Sequence, residues 1–235
     1  MLPVAILAGG LATRLQSLTE RVPKSLLRVA GRPFIFHQLD MLRHQGVERV
    51  VLCVGHLGDQ IQAAVGAGAT TALAISYSFD GAELRGTGGA LKRALPLLGD
   101  EFFVLNGDSY LPCSLAMVQS SYEAARRPAL MTVLRNDNRW DKSNVLFRNG
   151  LLLAYDKRNP RADMSHIDFG LSVVSRAVFA KYRDAKPVDL ADIFRELSLS
   201  GQLAALEVFE RFYEIGSPQG LRDTEELLSH TLDEA

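Results

Sequence analysis

Residues 4–15 read Val4-Ala5-Ile6-Leu7-Ala8-Gly9-Gly10-Leu11-Ala12-Thr13-Arg14-Leu15, a short apolar run followed at once by paired glycines, a hydroxyl and a cation. The run has the length and composition of a strand buried on both faces. Paired glycines let backbone N–H groups approach an anion, and Thr13, Arg14 and the later Lys24 of Pro23-Lys24 add side-chain donors suited to phosphate oxygens. Two common phosphate-loop patterns do not apply: GxGxxG would need glycines at 9, 11 and 14, and GxxxxGK[ST] occurs nowhere in the chain.

Working outward, β-branched runs alternate with segments of helical period. A helix over 34–45 stops at Gly46 and leads into a strand over 49–54. The pattern continues with a helix over 60–65, a strand over 73–77, a helix over 89–97, a strand over 102–105, a helix over 115–126 and a strand over 129–134. Strands separated by helices of crossover length imply a mainly parallel α/β sheet, Rossmann-like, with helices on both faces. Ligands of such sheets bind at the carboxyl ends of the strands. After Arg135 the rhythm changes, because Asn149-Gly150 between 145–147 and 151–155 is a two-residue hairpin signal that opens a small antiparallel insertion. A strand over 169–174, helices over 177–182 and 190–199, strands over 205–208 and 211–215, and an amphipathic helix over 219–230 follow. The organisation expected is one domain over 1–235: a first half to about 135, a second half over about 136–216, and a C-terminal helix over 217–235.

Composition narrows the field of functions. With 47% hydrophobic and 23% charged residues, the 235-residue chain is of the globular and not the disordered class. Its 26 Lys plus Arg against 27 Asp plus Glu provide no bulk positive field for nucleic acid or anionic lipid, so an anionic ligand must be held locally. Cys53 and Cys113 form no CxxC pair, and no signal-peptide or membrane-helix pattern is present, so the expected compartment is the cytoplasm.

The string L-A-G-G-x-x-T-R-L with its later P-K closely resembles the signature of the sugar-1-phosphate nucleotidylyltransferases, and the resemblance runs along most of the chain. Leu84-Arg85-Gly86-Thr87-Gly88-Gly89-Ala90 is similar to the family's L-G-T-G-G-A, and Leu105-Asn106-Gly107-Asp108 to its L-x-G-D. Asp156-Lys157 stands where these enzymes often have E-K, Asp168-Phe169-Gly170 resembles N-x-G, and Tyr213-Glu214-Ile215-Gly216-Ser217-Pro218 resembles W-x-D-x-G-T/P. The compact build, with R-x-P-F after Gly31, looks most like the single-domain enzymes acting on heptose, mannose or amino-sugar 1-phosphates. Departures are Ala12 for a third loop glycine, and Asp156, Asp168 and Glu214 for Glu, Asn and Asp.

The resemblance implies the nucleotide-diphospho-sugar transferase (GT-A-like) fold and a specific reaction. The phosphate of a sugar 1-phosphate attacks the α-phosphorus of a nucleoside triphosphate, pyrophosphate leaves, and an NDP-sugar forms. It also implies the roles. Arg14, Lys24 and Asp108 are the catalytic set, Arg14 on the leaving pyrophosphate and Lys24 on the α-phosphate. Leu7, Ala8, Gly9, Gly10, Thr13, Arg14, Lys24, Arg85, Gly86, Thr87 and Asp108 form the nucleotide site, with backbone groups of Arg85 and Gly86 meeting the base and Gly81 and Glu83 close by. Gly107, Asp156, Lys157, Asp168 and Gly170 form the sugar-phosphate site. Asp108 and Glu214 would hold Mg²⁺, an oxygen-loving ion suited to two carboxylates and substrate phosphates. The partners implied are a nucleoside triphosphate and a sugar 1-phosphate, with no nucleic acid or membrane, in a monomer or small homo-oligomer.

The substrate pair expected is GTP with D-glycero-D-manno-heptose 1-phosphate or mannose 1-phosphate; the alternative is UTP with N-acetylmuramate 1-phosphate. Two readings of other classes compete. Gly107-Asp108-Ser109-Tyr110-Leu111 with Asp163-Met164-Ser165-His166 is similar to a GDSL serine esterase, although both blocks stand at the wrong places in the chain for one. A non-catalytic nucleotide sensor of the same fold would also fit the substituted acids.

Overall fold

The computed structural model describes residues 1–10, 21–66, 68, 72–81, 85–182 and 187–233. Leu11 to Glu20, with Thr13 and Arg14 among them, and Glu83 and Leu84 of the second glycine string lie outside the described residues.

The apolar run becomes β1 (Val4–Leu7), which lies between two parallel neighbours: β4 (Arg49–Val54), and β6 (Glu101–Asn106) with Leu7 opposite Asn106. A parallel β5 (Ala74–Phe79) borders β4. Between β1 and β4 come two short strands, β2 (Arg28–Val29) and β3 (Arg32–Pro33), which pair only with each other. Side chains alternate strictly across this sheet. Val4, Ile6, Val50, Leu52, Phe103 and Leu105 face one core, and Ala5, Val51, Cys53, Phe102 and Val104 face the other. The first core is covered by α1 (Phe34–His44), α2 (Gly58–Val65) and α4 (Leu115–Ala125). The second is covered by α3 (Gly86–Leu98) and α5 (Leu190–Leu199). Each fully buried Ile, Leu or Phe contributes about 1.5–3 kcal/mol of transfer free energy, which is why four apolar residues suffice for a central strand.

The second half joins the same sheet. β11 (His166–Ser175) runs antiparallel to β6 on one side and to β8 (Ala129–Arg135) on the other. Asn149-Gly150, both at positive φ, turns β9 (Val145–Arg148) into β10 (Leu151–Tyr155). Among the described residues the result is a nine-stranded sheet with core order β10-β9-β11-β6-β1-β4-β5. β12 (Leu203–Val208), whose partner the sequence did not indicate, lies parallel to β8. The helix expected over 177–182 is only a 3-10 turn, Arg176–Phe179, started by Ser175 Oγ accepting from Ala177 N. The strand expected over 211–215 shrinks to β13 (Tyr213–Glu214), because its antiparallel partner β7 (Ser109–Tyr110) has two residues. The chain closes with α6 (Pro218–Asp233). Among the described residues no helix is long and apolar enough to cross a membrane.

Candidate active site

Adjacent parallel strands deliver two loops to one point. Past the end of β1, Ala8 N donates to Cys53 O at 2.8 Å, and past the end of β6, Gly107 N donates to Leu7 O at 2.9 Å. Gly107 is required there, since a Cβ on it would lie 2.8 Å from Leu7 O. The tight approach sets Asp108 beside the glycine loop. A buried amide fixes this turn from below: Gln38 Nε2, on α1, donates to Asn106 O at 2.8 Å and to Ser109 O at 2.7 Å. Gln38 carries no motif, so the reading of the sequence missed it.

Lys24 opens the 3-10 turn Lys24–Leu26, and its Nζ donates to Asp108 Oδ2 at 3.0 Å. The two expected catalytic side chains thus neutralise one another, 84 residues apart in sequence. The pairing of β13 with β7 puts Glu214 opposite Ser109, and Ile215 N donates to Asp108 O at 2.9 Å. The carboxylate of Glu214 accepts from Gly216 N and Ser217 Oγ, each at 2.5 Å, at the start of α6, where the helix dipole favours negative charge. A Cβ on Gly216 would lie 2.7 Å from Glu214 Oε2, 3.2 Å from Lys24 Nζ and 3.4 Å from Asp108 Oδ2, so all three charges meet around that glycine.

Two cavities open on this point. The first, about 380 Å³, is lined by the expected nucleotide residues Leu7, Ala8, Gly9, Gly10, Lys24, Gly86, Thr87 and Asp108, together with Gly107 and Lys157. It also takes in Ser25, Cys53, Asp80, Ala90 and Asn106, none of them assigned from the sequence. The second, about 530 Å³, holds Lys157, Asp168, Gly170 and Glu214 against Trp140, Asn144 and Phe212. Asn106 and Lys157 line both, so the expected nucleotide and sugar sites adjoin.

Asp168 is held by its backbone N–H on Asn144 Oδ1 and by Gly170 N on its own Oδ1, both at 3.0 Å. Burial pushes its pKa up, against the lowering effects of the Lys157 charge and of the Gly170 and Tyr155 hydrogen bonds. Gly170 lies within the register shift of β11, between Asp168 and Ser172, and has φ +99°, a backbone conformation that favours glycine.

Three expected residues sit differently. Asp156 lines neither cavity: its carboxylate accepts from Arg158 N, Asn159 N and Arg195 Nε, which together draw its pKa down, so it fastens a turn to α5 and is not free for a sugar. Arg85 lines neither cavity, and its carbonyl is occupied by Val188 N at 2.9 Å. Thr87 lines the first cavity, yet its hydroxyl donates to Asp189 Oδ1 at 2.7 Å and accepts from Leu190 N. The esterase constellation does not form. Ser109 Oγ donates to Asp108, whereas the His166 ring bonds Ser165 and Glu207 and Asp163 pairs with Arg161.

A doubly wound sheet with a glycine loop, a lysine and a carboxylate converging at the carboxyl ends of its central strands defines the class: a nucleotide-using α/β transferase. The chain belongs to the family of the MobA-like NTP transferase domain, which matches residues 4–188. It is 42% identical over 104 residues to the N-acetylmuramate alpha-1-phosphate uridylyltransferase of Neisseria meningitidis, a match spanning 44% of this chain and only 45% of that enzyme. It is 24% identical over 216 residues to the D-glycero-alpha-D-manno-heptose 1-phosphate guanylyltransferase of Campylobacter jejuni, spanning 91% of this chain and 94% of the other. The crystal structure of HddC from Yersinia pseudotuberculosis complexed with GMP-PN superposes with a TM-score of 0.79 at 25% identity, over 97% of this chain and all of that one.

Proposed function

We propose that this protein transfers GMP from GTP to the 1-phosphate of a manno-configured sugar, a heptose or mannose, releasing pyrophosphate. The observation carrying the reading is the pair of cavities that share Asn106 and Lys157, the first lined by the glycine loop, Lys24 and Asp108 and the second polar and aromatic-lined. Similarity to the Campylobacter guanylyltransferase over nine-tenths of the chain supports the base and the sugar.

The chemistry asks little of a general base. A phosphate monoester loses its second proton near pH 6, so the attacking oxygen is already ionised at neutral pH. That oxygen bonds to the α-phosphorus, the bond from the α-phosphorus to the bridging oxygen breaks, and the electron pair leaves with pyrophosphate. Catalysis is then positioning and charge stabilisation. Lys24 meets the α-phosphate, releasing Asp108 from its ion pair, and Arg14 meets the leaving pyrophosphate. Lys157, at the junction, holds the incoming sugar phosphate, and Asp168 and Asn144 take sugar hydroxyls.

Asp108 and Glu214 would hold Mg²⁺. The donor set fits: two carboxylates are gathered around Gly216, and among the described residues no group of three or more metal-binding side chains assembles. A site of that kind draws its remaining ligands from substrate phosphates and water. When bound, the ion supplies charge to the phosphate oxygens. The compartment in this reading is the cytoplasm.

The reading is tested by pyrophosphate release and product mass, with four nucleoside triphosphates against heptose, mannose, glucose and N-acetylated sugar 1-phosphates. Mg²⁺ is present in one series and replaced by EDTA in the other. GTP with a manno-configured phosphate is expected to be the best pair, and activity to vanish with EDTA. UTP with N-acetylmuramate 1-phosphate is the second reading, favoured by the 42% identity to the Neisseria enzyme, and would appear in the same matrix. Nucleotide binding without pyrophosphate release for any pair would make the protein a sensor and overturn both. Full activity in EDTA would refute the metal assignment.

A further inference from the structure

Between β8 and β9 the chain reads Asn136-Asp137-Asn138-Arg139-Trp140-Asp141-Lys142-Ser143-Asn144, a polar stretch around one large aromatic that belongs to none of the motifs. Asn136, Ser143 and Asn144 are buried, and the first two spend their side chains on the loop itself. Asn136 Nδ2 donates to Asp141 O at 2.7 Å and to Ser143 Oγ at 3.0 Å, while its Oδ1 accepts from Trp140 N at 3.2 Å. Asn138 N donates to Ser143 Oγ at 3.0 Å, and Ser143 N returns a bond to Asn138 Oδ1 at 2.9 Å. Asn136 N and Asp137 N both donate to Ser165 O at 2.9 Å, which ties the loop to the start of β11. Asn144, whose Oδ1 holds Asp168 N, joins the same loop to the acceptor side of the site.

This frame presents Trp140 to the second cavity. The half-buried indole meets Phe212 edge on at 6.0 Å, and Phe212 meets Phe169 in the same way at 6.2 Å. Two guanidinium groups lie over the indole. That of Arg211, at 5.6 Å, is tied to Asp223 and lies also over Tyr213. That of Arg139, at 5.0 Å, is exposed and among the described residues forms no ion pair, so it is the one free to leave. Packing alone seats an aromatic that closes a core. A frame of buried amide and hydroxyl groups is what holds one at an open rim, as a binding position requires. A pyranose carries its hydroxyls around the edge of the ring and weakly positive C–H groups on its faces, which suit the negative face of an indole.

We infer that Trp140 is a binding residue for the acceptor: a C–H face of the sugar ring lies against the indole, in the place that Arg139 takes in the free protein, while the phosphate is at Lys157. The assignment rests on the reading of transfer to a sugar 1-phosphate, not on the base, and goes beyond it by naming what holds the ring.

Trp140 is the only tryptophan of the chain, so emission excited at the red edge of the absorption band reports on it alone. The protein is saturated with Mg²⁺ and a GTP analogue carrying a methylene group between the α- and β-phosphorus, which cannot release pyrophosphate, and in a second series with the UTP analogue. Mannose 1-phosphate, N-acetylmuramate 1-phosphate or glycerol 1-phosphate, which keeps the phosphate and lacks the ring, is then added, with binding followed by calorimetry and by emission. A sugar 1-phosphate should change the emission saturably, with the calorimetric dissociation constant, and glycerol 1-phosphate should leave it unchanged. In Trp140→Ala, with folding checked by thermal melting, the sugar phosphate should bind about tenfold more weakly, the value of one ring face taken from water. Glycerol 1-phosphate and the nucleotide analogue should bind as before, and Trp140→Phe should recover the sugar phosphate to within about threefold of wild type. Sugar phosphate binding without a change in emission overturns the assignment on the wild type alone. So does a folded Trp140→Ala with wild-type affinity, or one that weakens sugar phosphate and glycerol 1-phosphate alike, which makes the residue structural. Binding of no sugar 1-phosphate with either analogue overturns the transfer reading, and this assignment with it.

Discussion

Gly216→Ala adds one methyl group at the point where the three charges of the site meet. The residue is not among the glycines at positive φ, so its backbone accepts a side chain, and at an open position the change would stabilise the fold by about 0.4–1 kcal/mol. Here the new carbon would lie 2.7 Å from Glu214 Oε2, closer than a real Cβ comes to any atom, and 3.2 and 3.4 Å from Lys24 Nζ and Asp108 Oδ2. The Glu214 carboxylate has little room to retreat. It is held at 2.5 Å by both Gly216 N and Ser217 Oγ, and Gly220 packs against its other oxygen. Releasing one hydrogen bond to a charged acceptor costs about 1.5–3 kcal/mol, which outweighs the gain in chain entropy. The net loss is about 0.5–2.6 kcal/mol, so the melting temperature should fall by roughly 1–10 °C, at about 2–4 °C per kcal/mol for a chain of this size. The functional effect should be larger, because Lys24 and Asp108 are displaced together and a shift of about 1 Å in a positioning group costs on the order of a hundredfold in rate. The assay is kcat/KM for pyrophosphate release beside a melting curve. A variant that melts at or above the wild-type temperature with unchanged kcat/KM would refute the idea that these three side chains form one rigid cluster.

Lys24→Ala should lower turnover by roughly two to four orders of magnitude, because its charge counts chiefly in the transition state. The melting temperature should barely move, since a partly exposed ion pair such as Lys24–Asp108 is worth at most about 1 kcal/mol; near-normal turnover would remove Lys24 from the transferring phosphates. Asp108→Asn should cost at least about a hundredfold in NDP-sugar formation, while Ser109→Ala, which gives up only the 3.3 Å bond to Asp108, should be mild; the reverse order, with ester hydrolysis, would restore the esterase reading. Asp168→Asn should stabilise the protein in a pH-dependent way. The folded pKa of Asp168 is raised, so the folded state binds its proton more tightly, and the wild type loses stability as pH rises from the unfolded value near 4 through the folded value. The melting temperature of Asp168→Asn minus that of wild type should then be near zero below about pH 4 and positive at pH 8, with weaker sugar-phosphate binding; a difference that does not change with pH would contradict the stated origin of the shift.

Much of the fold was legible because its signals are local. Arg49–Val54 is a strand from the first residue expected to the last, β1 is found over the expected residues, and α1 ends one residue short of expectation, its C-terminal cap at Gln45. The Asn149-Gly150 hairpin followed from two residues that tolerate positive φ. Where the reading failed, a distant partner decided the outcome. Helix α3 begins at Gly86, three residues early, because Val188 O accepts from both Gly88 N and Gly89 N and lends a cap to glycines that alone favour a loop. The direction of β12 depends on its pairing with β8, more than sixty residues upstream, and nothing in an isolated strand encodes parallel or antiparallel.

The candidate site divides along the same line, which explains why motif residues were found and their couplings were not. A glycine such as Gly107 is needed for what its own backbone does against Leu7 O, so it marks the sequence at the place where it acts. Lys24 and Asp108 were each assigned a phosphate or a metal, yet their first partner is one another, a fact stored in the packing of two loops and in neither string. Gln38 and Asp80 sit in plain stretches of a helix and a strand end, and become informative only when the turn that Gln38 brackets and the cavity that Asp80 faces are in place. The two differ in kind. Gln38 spends its amide hydrogens on the protein, bracing the Gly107-Asp108 turn, whereas Asp80 is tied by its backbone to β4 and lines the first cavity. A brace and a cavity wall are both defined by what surrounds them in space, and that is why neither residue could be assigned from its own stretch of sequence.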